Sequence, residues 1–265
     1  MAISGQISEN INGIARSFVD ARRAGRALPD FPGDMPDTLE TAYAVQDAAI
    51  ALSDRQVVGW KVGRINPPID GISRLAGPIF ADQVKDAQDD PVAMPVISGG
   101  FAAGEAEFLL RIGTAPDPAK QSYTIAEATA LIDAVHVGIE IASSPFPGIN
   151  DHGATVTISD FGNNNGLVVG EAIADWRDQD LISWPVRLTI DGVEAGAATA
   201  ATMLDGPFGA ARFLFEAMAL RGIALQPGQW ISSGAVTGVH RVAIGAAVEA
   251  VFDGRLTVAC KIKAQ

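Results

Sequence analysis

At residue 56 the spacing of apolar residues changes from a helical to a strand period. That switch limits the chain to leading helices followed by sheet. Before it, Ile11, Ile14, Ala15, Phe18 and Val19 fall at the i, i+3, i+4, i+7 and i+8 positions of an amphipathic helix over residues 8–24. The stretch "ALPDFPGDMPD" (27–37) then breaks the chain with prolines and a glycine. Asp37 with Glu40 predicts a capping box that opens a second helix through "TLETAYAVQDAAIALS", residues 38–53.

From residue 56 onward strand patterns dominate. "QVVGWKVG" reads as a strand, followed by the turn-rich "NPPIDG", the polar loop "KDAQDD" and the strand "FAAGEAEFLLRIG" (101–113). Thr124 and Glu127 predict a capping box before the short helix "IAEATALIDA", which leads into the strand "VHVGIEIAS" (135–143). "GLVVGEAI", "PVRLTIDG", "VEAGAATAA", "LQPGQWISSGAVTG" and "AAVEAVFDGRLTVACKI" continue as strands, with a hairpin turn at residues 190–193. One helix interrupts them at 207–221 and stops at Gly222. This order predicts an α+β fold rather than a regular βαβ sheet. Residues 1–55 are expected as an N-terminal helical segment packed on a main domain of residues 56–265.

Charge narrows the range of partners. The net charge is −12 and no Lys/Arg run exceeds Arg22-Arg23, so a nucleic-acid partner is not expected. An anionic ligand would need local positive charge, from a few basic residues or a metal. The single cysteine, Cys260, excludes an intrachain disulfide. There is no signal-peptide pattern at the start and no apolar run of about 18 residues, so a cytoplasmic protein without membrane contact is expected. The dinucleotide, P-loop, H-E-x-x-H, C-x-x-C and G-x-S-x-G signatures are absent from the sequence.

The candidate chemistry begins at Glu105 and Glu107. Two residues apart on a strand, their carboxylates project from one face, where they repel unless water or a cation lies between them. Glu140 also projects from the polar face of its strand, opposite Val135, Val137, Ile139 and Ile141. Three such carboxylates suit a hard cation, Mg²⁺ or Mn²⁺; a solvated polar strand face accounts for the same spacing. Lys61 lies between Gly59 and Gly63 on an apolar strand, either as an exposed lysine or as a cation beside a dry pocket. Asp82 is either a turn cap or an active-site acid. Asp160, Asn163, Asn164, Asn165 and Gly166 mark a tight loop. Ser232, Ser233 and Gly234 offer hydroxyl and N–H donors at a strand end, and the three histidines show no ligand spacing.

In order along the chain, "TLETAYAVQ", "GWKVG", "GPIFAD", "GEAEFLL", "GIEI", "DFGNNNG" and "ISSG" resemble the 2-oxopent-4-enoate hydratase and 4-oxalocrotonate decarboxylase family, of the fumarylacetoacetase C-terminal-like superfamily. The resemblance spans about residues 10–262. It implies a mixed β-sandwich roll beside two leading helices, and a homo-oligomer. It also implies Mg²⁺ or Mn²⁺ on Glu105, Glu107 and Glu140, catalytic roles for Lys61 and Asp82, and substrate contacts from Asp160, Asn164, Ser233 and Gly234. The chain departs from the family at Arg64-Ile65-Asn66, where an apolar residue followed by Thr-Ser is usual. It departs again at Phe161, where Asn is more frequent, and at Ser233-Gly234, where the family has Thr-Gly.

The activity implied is metal-dependent addition of water to a small anionic 2-oxo-alkenoate, giving a 4-hydroxy-2-oxo acid, as in aromatic meta-cleavage catabolism. The alternatives are a 4-oxalocrotonate-type decarboxylase, an acylpyruvate-type hydrolase and a non-catalytic metal-binding relative. The hydrolases place a His-Glu pair ahead of their E-x-E motif, whereas the first histidine here, His136, follows it.

Overall fold

The computed structural model describes residues 2–88 and 92–265, with side chains from Ile7 onward. The aspartates that close the "KDAQDD" loop lie outside the described residues. The helices are α1 (Ala2–Arg23), α2 (Leu39–Ser53), α3 (Ile125–Ala130), α4 (Ala154–Ser159) and α5 (Gly206–Leu220). The strands are β1 (Val57–Ile69), β2 (Ile72–Phe80), β3 (Val84–Asp86), β4 (Ala93–Val96), β5 (Phe101–Ile112), β6 (Ile132–Ser144) and β7 (Asn164–Ala172). They continue with β8 (Pro185–Ile190), β9 (Val193–Thr199), β10 (Trp230–Ser232), β11 (His240–Arg241), β12 (Ala247–Phe252) and β13 (Leu256–Ala264). No described helix is long and apolar enough to cross a membrane.

Two mixed sheets form the body. The larger runs β2–β1–β10–β5–β6–β7–β3, with β11 alongside β5, and the smaller runs β4–β13–β12–β8–β9. The α+β expectation holds, and with it the sandwich of mixed sheets. Strand alternation divides the large sheet. Ala106, Phe108, Leu110 and Ile112 of β5 and Val135, Val137, Ile139 and Ile141 of β6 face a core shared with β12, β13 and α5. There Phe108 meets Phe252 edge to face, with ring centroids 5.3 Å apart. The opposite face carries the glutamates. A second core, built on Ile14, Phe18 and Val19 of α1 with Val45 and Ala49 of α2, packs Phe80, Phe101 and Phe161 beside that face.

Several local expectations change. The second helix is capped by Thr38, whose side chain accepts from the Thr41 N–H, rather than by Asp37. The strand at "QVVGWKVG" extends through Pro67-Pro68 to Ile69. Its pairing with β2 slips between Arg64 and Ile69, so the two prolines need no ladder donor. The Thr124 capping box forms, but α3 ends at Ala130 because β6 begins at Ile132. The 190–193 hairpin forms with Asp191 and Gly192 both at positive φ, as a tight two-residue turn requires.

The leading helices are wired into the body. Gln46 of α2, fully buried, donates to the carbonyls of Ala76 and Ile158, each at 3.0 Å. Arg22, at the end of α1, makes a two-point ion pair with buried Asp160 at 2.6 and 2.9 Å. It also donates to the Asn165 side chain and the Ser143 carbonyl.

Candidate metal and substrate site

The antiparallel register of β5 and β6 places Glu105 directly opposite Glu140 and Glu107 opposite Gly138. Gly138 is required: a Cβ there would lie 2.3 Å from the Leu109 side chain and 2.9 Å from the Val168 carbonyl. Glu105, Glu107 and Glu140 are 5%, 0% and 0% exposed, and each offers an oxygen within 4.8 Å of the others. The solvated strand face is thereby excluded.

Two of the carboxylates, Glu107 and Glu140, are held from behind. Glu107 Oε2 accepts from the Ser232 hydroxyl and from the Gly234 N–H, the latter at 2.9 Å. Glu140 Oε1 accepts from Asn164 Nδ2 at 2.8 Å. These bonds leave Glu107 Oε1 and Glu140 Oε2 buried with no hydrogen-bond partner. Lys61 reaches the cluster from β1, with its ammonium 3.5 Å from Glu140 Oε2. It sits between Gly77 of β2 and Ser232 of β10 in the ladder.

The electrostatics follow from three anions meeting one cation in a dry place. Burial pushes Glu105 up to about 7; Lys61 opposes that rise and Glu140 adds to it. Glu107 is also raised, first by burial and then by repulsion from Glu140 and Glu105. Burial works against the Lys61 ammonium, but attraction to Glu140, Glu105 and Glu107 outweighs it and holds its pKa above the ordinary value. A group of carboxylates with surplus negative charge, in which Glu107 Oε1 has no partner and Glu140 Oε2 only the Lys61 ammonium at 3.5 Å, fits a divalent cation.

A cavity of about 980 Å³ opens from this cluster, lined by Lys61, Glu105, Asn163, Ser233 and Gly234 among others. The side-chain oxygens of Asn163, Ser233 and Thr237 are buried without partners, and all three residues line it. One wall is a left-handed turn, with Phe161, Gly162 and Asn163 at φ 56°, 62° and 66°. Such a conformation is costly for Phe and Asn. It is held because the Phe161 carbonyl packs on Gly77, where any Cβ would lie 2.1 Å from that oxygen.

The structure brings together Lys61, Glu105, Glu107, Glu140, Asn164, Ser233 and Gly234. Asn164 serves Glu140 rather than the cavity, from whose lining it is absent. Asp160 is also absent from that lining and acts from behind, tying the 160–166 loop to Arg22. Asp82 is not brought to the cluster. Its short 3-10 turn (Ala81–Gln83) points the carboxylate outward, where it is 67% exposed, pairs with Arg55 at 2.6 Å and stands outside the cavity. Three contributors were not assigned roles from sequence: Arg22, Ser232 as a partner of Glu107, and Asn163. Only the Asn run and the Ser-Ser-Gly strand end carried any local signal for the last two.

No protein-family model matches the chain. A 2-keto-4-pentenoate hydratase of Burkholderia vietnamiensis is 26% identical over 255 residues, covering 92% of this chain and 94% of the relative. A protein named TodF product hydratase, of Pseudomonas putida, is 27% identical over 249 residues, covering 89% and 88%. The structure of a 4-oxalocrotonate decarboxylase from Pseudomonas putida, complexed with magnesium and adipate, superposes with a TM-score of 0.80 at 18% identity. It covers 96% of this chain and 98% of that one. A fumarylpyruvate hydrolase from Pseudomonas aeruginosa, with Mn²⁺ and pyruvate, gives a TM-score of 0.57 at 15% identity over 78% and 89%. The chain is thus similar in sequence to hydratases of the 2-keto-4-pentenoate type and shares its fold with the 4-oxalocrotonate decarboxylase and fumarylpyruvate hydrolase structures.

Proposed function

We propose that the protein is a divalent-metal-dependent hydratase, a lyase that adds water to a 2-oxo-alkenoate and yields a 4-hydroxy-2-oxo acid. The observation that carries this is the buried Glu105–Glu107–Glu140 cluster, with two oxygens that accept no hydrogen bond and with Lys61 beside it, at the floor of the cavity. The hydratase names of both sequence relatives support it. Glu105, Glu107 and Glu140 would hold the ion, Mg²⁺ or Mn²⁺. When bound, it supplies Lewis-acid polarisation of the substrate's 2-oxo group.

The chain's own residues do the rest. Lys61, held cationic by the glutamates, offsets negative charge on the substrate carboxylate and on the enolate that develops as the proton moves. Ser232, the Gly234 N–H and Asn164 fix the carboxylates. Asn163 and Ser233 present unpartnered polar atoms able to hold the adding water or the new hydroxyl. Asp82 has no place in this scheme. None of the three histidines lines the cavity, which speaks against the His-assisted hydrolase alternative.

The test is turnover of 2-hydroxypenta-2,4-dienoate by purified protein with Mg²⁺ or Mn²⁺, followed by loss of diene absorbance. Metal-dependent loss without carbon dioxide release is expected. Carbon dioxide release from 4-oxalocrotonate, with no hydration, would move the activity to decarboxylation. Binding of metal without turnover of any oxo-enoate or acylpyruvate would leave a metal-binding protein that is no enzyme.

A further inference from the structure

Ser232 supports Glu107 and Asn164 supports Glu140. Among the described residues no hydrogen bond reaches Glu105, although it is buried with them. One carboxylate of the three therefore lacks the support that the other two have.

The segment after β10 runs along β5 toward that carboxylate. The Val236 N–H donates to the Ala106 carbonyl at 2.9 Å, and β11 then places His240 opposite Gly104 and Arg241 opposite Ala103. From Val236 to His240 this segment takes four steps while β5 takes two, so residues 237–239 bulge out beside Glu105. Val236 and Ala106 both belong to the main core. Thr237, the next residue, turns to the other side, where Glu105 stands. Both line the cavity, and Thr237 Oγ1 is buried without a partner.

The bulge is fixed from its far side. A carbonyl only accepts, so His240 donates its Nε2–H to the Thr237 carbonyl, at 3.0 Å. The imidazole packs over Gly196 of β9, where a Cβ would lie 2.6 Å from the ring and 2.9 Å from that carbonyl. His240 itself does not line the cavity.

Resting on the reading of the three glutamates as metal ligands, we propose that Thr237 is the positioning residue of Glu105, and that His240 positions Thr237. The Thr237 hydroxyl donates to the Glu105 carboxylate when the ion is bound, as Ser232 donates to Glu107. A step between staggered χ1 wells re-aims Oγ1 without moving the backbone that His240 holds. Carboxylates that ligate a metal are ordinarily hydrogen-bonded in this way, and losing such a partner weakens ion binding by about 10–100-fold.

The experiment is calorimetric titration of the metal-free protein with Mg²⁺, with melting temperatures measured in parallel. Thr237→Val should weaken Mg²⁺ binding about tenfold or more. Its metal-free melting temperature should not fall, because the hydroxyl has no partner to lose there. Thr237→Ser should keep wild-type affinity. His240→Phe retains a ring over Gly196 but not the donor, and should also weaken Mg²⁺ binding. The double variant should bind no more weakly than Thr237→Val alone, whereas additive losses would show that His240 does not act through Thr237. Should His240→Phe fold poorly, the Thr237 pair still decides. Affinity unchanged in Thr237→Val, or lost equally in Thr237→Ser, overturns the inference and leaves the metal reading standing. If the wild-type protein binds neither Mg²⁺ nor Mn²⁺, the metal reading fails and takes the inference with it.

Discussion

Glu105 and Glu140 stand directly opposite each other on the antiparallel strands β5 and β6, both buried. Like charges in that position destabilise a sheet, and here a third carboxylate, Glu107, joins them. Among the described residues only Lys61 answers from within the chain. The site therefore holds more negative charge than its fold neutralises, and a divalent ion removes the conflict.

Replacing Glu107 by Gln should separate stability from function. The Gln side-chain oxygen can still accept from Ser232 and the Gly234 N–H, so the positioning bonds survive. Losing one of three buried charges should raise the melting temperature of the metal-free protein. The same change should weaken divalent-ion binding and turnover by at least about a hundredfold. Calorimetry with and without Mg²⁺ measures both. A variant that melts lower than wild type without metal would contradict the account of repulsion.

The raised Glu105 fixes a pH dependence. Its pKa moves from the ordinary 4.5 to about 7, so the folded state binds a proton that the unfolded state has released. The associated stability is complete below about pH 4.5 and is lost as pH rises through about 7. Metal-free protein should therefore lose on the order of a few kcal/mol across that window. Saturating Mg²⁺ should flatten the loss, because the ion replaces the proton. Ion affinity should correspondingly rise with pH up to about 7. Urea titrations at a series of pH values, with and without metal, provide the check.

Much of this site was legible because strand alternation is a local property. Glu105 and Glu107 had to share a face, and Glu140 had to oppose its aliphatic stripe. That Glu105 and Glu140 meet depends on a register set by the whole β5–β6 pairing, across a connection that includes α3, and no local pattern encodes it. Arg22 and Asp160 lie 138 residues apart in sequence, so their pairing had no local sign either. Asp82 stands apart from the cavity for the opposite reason. Its motif was legible, but the 3-10 turn that aims the side chain depends on how β2 hands over to β3.

Lys61 should be irreplaceable for charge. Lys61→Met leaves Glu140 Oε2 buried without a cation, and breaking a buried pair in this way costs about 3–5 kcal/mol. The metal-free variant should melt well below wild type, and Mg²⁺ should recover part of the difference. Turnover should stay low even at saturating Mg²⁺, because the enolate charge then lacks its ammonium. Full activity with bound metal would remove Lys61 from the chemistry.

The Arg22–Asp160 pair should govern the wall of the cavity. Arg22→Met strands a fully buried carboxylate and should cost about 3–5 kcal/mol. The double variant Arg22→Met with Asp160→Asn should recover part of that loss, since no uncompensated charge remains. If the pair is only structural, KM for the oxo acid in the double variant will match wild type. Displacement of the 161–163 turn should instead raise KM, because Gly162 and Asn163 line the cavity. Denaturation and steady-state kinetics on the same preparations distinguish these outcomes.

Asp82→Asn supplies the sharpest contrast between the motif and the structure. If the aspartate of "GPIFAD" were the proton-transfer group, its amide would lower kcat by at least about a hundredfold. The structure places it at the surface against Arg55, which also lies over the Phe80 ring with its guanidinium carbon 4.1 Å from the centroid. An exposed pair of this kind contributes within about 1 kcal/mol. The variant should therefore keep its melting temperature nearly unchanged and retain kcat and KM within about twofold. The pH profile of kcat should also keep its shape, since among the described residues the only ionisable groups other than arginines lining the cavity are Lys61 and Glu105.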